Sequence, residues 1–318
     1  MPQFFETISL DRIDLSDDAY RVTTQSDPAE LARSIGAVGV LSPPIVKQRR
    51  GRWSVVCGFL RMAACRLLGR NPITCRILSD DSDFLTCAKI AIADNSSQRR
   101  LNPVELSRAY RLLSQALSVE ELPSAAAELG LPDGQELIEK LWDLCTAPEQ
   151  IQRGIVDERI ALPVALELIR MPEAETTAFA ELLASVPLSL NRQREALALI
   201  REIARREDLD FTAVVHAPEL TGIAQDPETA LPQKGRALLS ALKRRRFPSR
   251  SRFEAEFEQK RRQLPLGEGM SLLPPPNFEG SRYVLQLSFQ SVAQLSEQLD
   301  RGRKVAQSNM FQEILSAE

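Results

Sequence analysis

Trp53-Ser54-Val55-Val56-Cys57-Gly58-Phe59-Leu60-Arg61-Met62-Ala63-Ala64-Cys65-Arg66-Leu67-Leu68-Gly69 decides how the N-terminal third of this chain is read. Trp53 to Cys57 is a β-prone run of strand length, Gly58 breaks it, and Phe59 to Leu68 is helix-forming up to a glycine stop. A helix that opens on a glycine straight after a strand has free N–H groups at its first turn, and these suit a phosphate. Arg61 stands one turn in, where its guanidinium can neutralise phosphate charge.

The neighbouring residues extend the pattern. Pro44 to Gln48 reads as a strand joined to the first by the basic turn Arg49-Arg50-Gly51-Arg52. Upstream, Asp27 caps a helix with Pro28 at its first position; Leu31, Ile35 and Val38 follow at helical spacing, and Gly39 ends it. Ile8-Ser9-Leu10 and Ile13-Asp14-Leu15 read as a short strand or turn entry, and Ile73 to Leu78 as a further strand. From about Phe84 to Glu207 apolar residues recur at helical spacing, punctuated at Asn102-Pro103, Gly130 to Gly134, Pro148, Pro163 and Pro172. Pro218, Pro227 and Pro232 mark 209–233 as a linker. Gly235 to Leu264 is a basic helical stretch interrupted at Phe247-Pro248. Arg282 to Phe289 alternates as a strand, with a helix from Ser291 to Asp300 after it. The expected fold is α+β and mostly helical: a mixed α/β domain (1–100), a helical domain (101–208), the linker, and a basic helix with a strand-helix module (234–318).

The chain has 318 residues, 40 basic and 43 acidic, for a net charge of -3. At 43% hydrophobic content it can bury packed cores. No apolar run reaches the roughly 20 residues of a membrane span. The acidic N-terminus does not read as a signal peptide, and the five cysteines form no CxxC pair, so a reduced cytoplasmic protein without membrane contact is expected. With His216 as the one histidine, His-based zinc sites and Ser-His or Cys-His catalysis are close to excluded. The small net charge conceals blocks. Residues 44–117 carry 13 bases and 5 acids (+8), residues 118–190 carry 4 bases and 14 acids (-10), and residues 234–262 carry 11 bases and 3 acids (+8). A ligand within a Debye length of about 8–10 Å meets the block and not the total.

Three segments in order resemble one family. Val38 to Val46, with Pro43-Pro44, resembles the helix end, loop and strand of ParB-type N-terminal domains. Val56 to Gly69 resembles their second box, and Ala93-Asp94-Asn95 through Leu101-Asn102-Pro103-Val104-Glu105 their third. Leu112 to about Arg170 resembles the helix-turn-helix domain that follows. The resemblance implies a ParB/sulfiredoxin-like fold that binds CTP, or another nucleotide, with Mg²⁺, contacts DNA and closes as a homodimer. It implies nucleotide contacts at Pro43, Pro44, Gly58, Phe59, Leu60, Arg61, Asn95 and Arg99. Asp94 and Asn95 supply hard oxygen ligands suited to Mg²⁺. Phe59 and Leu60 stand where typical partition proteins carry Glu and Arg, and Gln98 where they carry Arg, so nucleotide hydrolysis is expected to be weak at most.

Lys47, Arg49, Arg50 and Arg52 on the hairpin, and Lys243, Arg244, Arg245, Arg246, Arg250 and Arg252, are candidates for DNA-backbone contact, which reads no sequence. Arg99, Arg100 and Arg108 are candidates to line the nucleotide or DNA. The expected recognition helix, from about Gln135 to Leu144, carries Glu136, Glu139 and Asp143 against Lys140, a poor composition for the major groove. The basic run could instead dock onto acids of its own chain. The C-terminal strand needs a partner, from a second copy or from its own chain. The favoured function is a ParB-like DNA-binding protein with a nucleotide switch, acting in partition or transcription control. A diverged scaffold for protein interaction competes with it. So does a small-molecule phosphotransferase, which would need a base such as Glu30 or Asp27.

Overall fold

A computed structural model describes residues 4–49, 51–278 and 280–316. The chain divides into two units, the first ending at Gln193 and the second starting at Arg194.

The first unit opens with β1 (Phe4–Ile8), β2 (Ile13–Asp14), α1 (Ala29–Val38), β3 (Ile45–Arg49), β4 (Arg52–Cys57), α2 (Phe59–Leu67) and β5 (Ile73–Ile77). Five strands form one sheet in the order β1-β5-β3-β4-β2. β3 and β4 pair as the expected antiparallel hairpin, with Lys47 opposite Ser54 and Gln48 opposite Trp53. β3 runs parallel to β5, and β2 parallel to β4. Val55, Val56 and Cys57 of β4 are all buried, as a central strand requires. Trp53 and Val55 share a core with Ala32 and Ile35 of α1 and with Met62, Ala64 and Cys65 of α2. Full burial of each valine contributes roughly 1.5–3 kcal/mol. α1 begins one residue later than expected, with Pro28 and not Asp27 at the cap position; the Asp27 carboxylate accepts from the Ala29 N–H at 2.9 Å, and the helix ends at Gly39 with φ 84°. The first strand lies earlier than Ile8-Ser9-Leu10. Phe4 to Ile8 pairs antiparallel with β5, and Leu10 to Arg12 turns as a short 3-10 segment. Pairing with β5, a distant segment, sets that register, and local periodicity does not report it.

Helices follow: α3 (Phe84–Ser96), α4 (Pro103–Ser114), α5 (Leu122–Glu128), α6 (Gln135–Leu141), α7 (Glu149–Val156), α8 (Leu162–Leu168), α9 (Glu173–Ser185) and α10 (Leu190–Glu207), which runs on into the second unit. α3 starts at an Asp83 cap, whose carboxylate accepts from Thr86 N–H at 2.6 Å. α4 starts with a full capping box: the Asn102 side chain accepts from the Val104 and Glu105 N–H groups, and Glu105 accepts from Asn102 N–H. Tyr110 and Leu113 of α4 are completely buried, so this helix is central to the helical part.

The second unit holds α11 (Phe211–Val215), α12 (Pro218–Gln225), α13 (Leu231–Arg246), α14 (Pro248–Gln263), β6 (Met270–Leu273), β7 (Val284–Leu287), α15 (Val292–Ala306) and α16 (Asn309–Leu315). Between 209 and 233, read as a linker, stand α11 and α12. Phe211, Val214, Val215 and Leu220 are buried there, and Pro218 takes a first-turn position where it costs no hydrogen bond. The C-terminal strand finds its partner within the chain: β7 pairs antiparallel with β6, Met270 opposite Leu287. The four residues after Gly269 are too short a run to read as a strand from the sequence. Among the described residues no helix is long and apolar enough to cross a membrane.

Candidate functional site

In the first unit a cleft of about 1410 Å³ separates the start of α2 from α4 and α7. That is ample for a nucleotide-sized ligand. Its geometry begins at Gly58. The glycine sits at φ 90° and ψ 30°, which turns the chain sharply from β4 into α2. A Cβ here would lie 3.1 Å from the Pro44 Cα and 3.0 Å from Arg61 Nε, so only glycine lets these segments meet.

Arg61 lies across that junction. Its Nη1 donates to the Ser42 carbonyl at 2.8 Å and to the Ser42 hydroxyl at 3.0 Å, and more loosely to the Pro43 carbonyl at 3.5 Å. Its Nη2 donates to both oxygens of Asp94, at 2.7 and 3.0 Å. Asn95 follows on α3, with its amide nitrogen held by the Ala91 carbonyl at 2.8 Å, which leaves the side-chain oxygen available. One carboxylate and one amide oxygen suit a Mg²⁺ ion that completes its shell with phosphate and water oxygens. Cys57, behind this cluster, is not a nucleophile. Burial, and then the Asp94 charge, push its thiol up to about 12.

The far wall of the cleft is held by Glu105. Its side chain is fully buried, yet it takes two hydrogen bonds of 2.6 Å from Arg99, one from Thr24 N–H at 2.9 Å and one from Thr24 Oγ1 at 3.0 Å. Burial alone would raise its pKa. The Arg99 guanidinium and the Thr24 and Asn102 backbone donors outweigh that and hold it below the ordinary value. The extended segment around Thr23 and Thr24 is thus pinned onto α4.

Of the nucleotide-contact candidates, Gly58, Phe59, Leu60, Arg61, Asn95 and Arg99 line this one cleft together with Asp94, and Pro43 and Pro44 border it through Arg61 and Gly58. Asp27 and Glu30 also line it. The hairpin cations lie elsewhere. Lys47 donates to the Ser82 carbonyl, Arg49 stands 3.9 Å from Asp17, and Arg52 reaches the Asp11 carbonyl at 3.3 Å. Arg50 lies outside the described residues.

In the second unit the basic run does meet acids of its own chain. Lys243 pairs with Glu195, Arg244 with Glu219, Arg245 with Glu207 and Arg246 with Glu202, all at 2.6–2.7 Å. Arg250 pairs with Glu254 on its own helix at 2.9 Å, and Arg252 is exposed. Arg21, which also lines the cleft, has no signal in the sequence beyond lying in a polar stretch without periodicity.

The ParB N-terminal domain family matches residues 3–95. The chain is 32% identical over 208 residues to a probable chromosome 1-partitioning protein ParB of Deinococcus radiodurans, covering 64% of this chain and 67% of that one. This chain belongs to the ParB-like partition protein family. A nucleoid occlusion protein of Halalkalibacterium halodurans is 30% identical over 144 residues, which is 45% of this chain and 49% of that one. The chain therefore spans two thirds of the first ParB relative's length and about half of the second relative's. A solved C-terminally truncated ParB of Caulobacter crescentus, complexed with CTP-gamma-S, is 21% identical; the match covers 57% of this chain and 99% of that one, with a TM-score of 0.27.

Proposed function

We propose that this ParB-like chain is a DNA-binding protein of partition or transcription control, with a nucleotide of the CTP class as its switch. The observation that carries the reading is the convergence of Gly58, Arg61, Asp94 and Asn95 on one cleft. It combines free N–H groups at a helix start, a guanidinium and hard oxygen donors, the three elements a magnesium-nucleotide phosphate needs. Asp94 and Asn95 would hold the Mg²⁺, which when bound screens phosphate charge. Phe59 and Leu60 present apolar surface at the first helical turn, so the site binds rather than hydrolyses. DNA contact goes to the phosphate backbone through Lys47, Arg49 and Arg52 and through the run from Lys243 to Arg252. The exposed apolar residues Val284, Leu285, Phe289 and Val292 of the C-terminal module support a homodimer contact there. The setting is cytoplasmic.

Calorimetric titration of the full chain with CTP, ATP, GTP and UTP in Mg²⁺ tests this directly. The expected result is heat with CTP that disappears in Arg61→Ala; no heat with any nucleotide overturns the reading. A second reading, a scaffold for protein contact, is favoured by the acidic helix α6 and by the pairing of the basic run. It predicts random-duplex affinity that does not change with salt.

A further inference from the structure

Six arginines line the cleft: Arg21, Arg61, Arg99, Arg108, Arg111 and Arg153. Five of them have a carboxylate partner. Arg21 pairs with Asp18 at 3.1 Å, Arg61 with Asp94, Arg99 with Glu105, Arg111 with Asp143 at 2.9 Å and Arg153 with Glu149 at 2.6 Å. Among the described residues Arg108 is the exception. Its Nη1 donates to the Thr23 carbonyl at 2.8 Å and its Nη2 to the Gln152 side-chain oxygen at 3.1 Å. Both acceptors are neutral, and a guanidinium has five N–H donors.

Arg108 is also half-buried, at the middle of α4. Burial, with the like charge of Arg21 nearby, disfavours its charged form. The Glu105 and Asp18 carboxylates act on it through space but are paired with Arg99 and Arg21, so the direct partners of this partly desolvated cation are neutral oxygens, and its natural complement is an anion. Arg21 links this place to the other wall of the cleft. Its guanidinium lies 5.5 Å from the ring centre of Phe59, the first residue of α2. Its Asp18 partner is well exposed, so that pair is screened by water and easily exchanged for another anion.

We propose that Arg108 and Arg21 form a second anion subsite, which takes the terminal phosphate of a nucleoside triphosphate whose inner phosphates lie at Gly58 and Arg61. The inference rests on the nucleotide reading above and deepens it. Forked guanidiniums suit a terminal phosphate, which offers more free oxygens than a bridging one. On this placement the ligand reaches from α2 to α4, and a diphosphate lacks the phosphate that would meet Arg108. The site thereby discriminates the triphosphate from its diphosphate through binding alone, and no hydrolytic residue is required for that.

The test is calorimetry on the full chain with CTP, CDP and inorganic triphosphate, in wild type, Arg108→Met and Arg21→Gln. Wild type is expected to bind CTP roughly tenfold or more tighter than CDP, the effect of one charge-assisted contact. Arg108→Met is expected to shrink that ratio to about twofold by weakening CTP, and Arg21→Gln to shrink it in part. If Arg108→Met fails to fold, Arg21→Gln decides alone, because its partner Asp18 is at the surface. A variant that melts like wild type and keeps the full CTP preference overturns the subsite. If wild type binds no nucleotide, the nucleotide reading falls. In that case, inorganic triphosphate bound by wild type and lost in Arg108→Met retains the anion subsite, and its failure to bind removes that as well.

Discussion

Arg61 Nη2 lies 2.7 Å from one oxygen of Asp94 and 3.0 Å from the other, so a single guanidinium ties the start of α2 to the end of α3. The pair is only a quarter exposed or less. A phosphate approaching Arg61 therefore meets the Asp94 charge as well, unless a metal ion screens it. Asp94→Asn is expected to act in opposite directions with and without metal. In EDTA it strengthens CTP binding severalfold by removing a repelling charge, and in Mg²⁺ it weakens binding by removing a ligand. Parallel titrations in the two buffers read this out, and a shift of the same sign in both refutes the role given to Asp94.

Gly58 is the position where backbone conformation and site geometry coincide. Gly58→Ala must hold a side chain at φ 90° and place its Cβ 3.1 Å from Arg61 Cζ and from Pro44 Cα. The cost of the left-handed conformation is about 1–2 kcal/mol. Denaturant unfolding should show that loss, with CTP binding weakened beyond it because Arg61 is displaced.

Glu105 makes the first unit sensitive to acid. Its folded pKa lies below the unfolded value, so between the two the unfolded chain binds more protons. Its contribution is complete above the unfolded pKa and is lost as pH falls through the folded one. Melting temperature against pH should therefore fall more steeply on the acid side in wild type than in Glu105→Gln. Glu105→Ala, which leaves Arg99 and the Thr24 N–H without their acceptor, should cost roughly 3 kcal/mol. Equal acid slopes for wild type and Glu105→Gln would show that the carboxylate carries no such linkage.

The glutamate partners of the basic run bear on how it meets DNA. Each exposed pair contributes only about 0–1 kcal/mol, so polyanionic DNA can displace the glutamates, though it forfeits that energy. Glu195→Gln with Glu202→Gln frees Lys243 and Arg246. The double variant is expected to bind random duplex more tightly, with a log–log salt slope steeper by roughly one unit per freed cation. Fluorescence anisotropy across a salt series measures both. An unchanged slope would mean that the run does not touch the backbone.

Much of the candidate site is legible in the amino-acid sequence because its parts are local. The strand, glycine and helix from Trp53 to Gly69 are set by neighbours in sequence, and so is the cap at Asn102-Pro103 with Glu105. β1 and β6 are not legible in this way, since each is completed by hydrogen bonds to a distant strand, β5 and β7. The same holds for 209–233, where prolines mark a break but only tertiary burial of Phe211 and Val214 shows helices packed between the breaks. Nothing in the spacing of residues 21, 59 and 108 indicates that they line one cleft.

By itself, then, the sequence determined the β3-β4 hairpin, α2 and the helical character of 84–207, the order of the family-like segments and the block pattern of charge, because these depend on contacts within a few residues. The tertiary structure alone decided which charges remain available. The run from Lys243 to Arg246 is as basic as its composition says, but long-range packing sets a glutamate against each member. In the sequence Arg108 is one of several arginines that are candidates to line a nucleotide or DNA, and packing leaves it partly desolvated with neutral acceptors. Coulomb interactions act through space over a few ångströms, irrespective of chain separation, so net charge by segment could not distinguish the two.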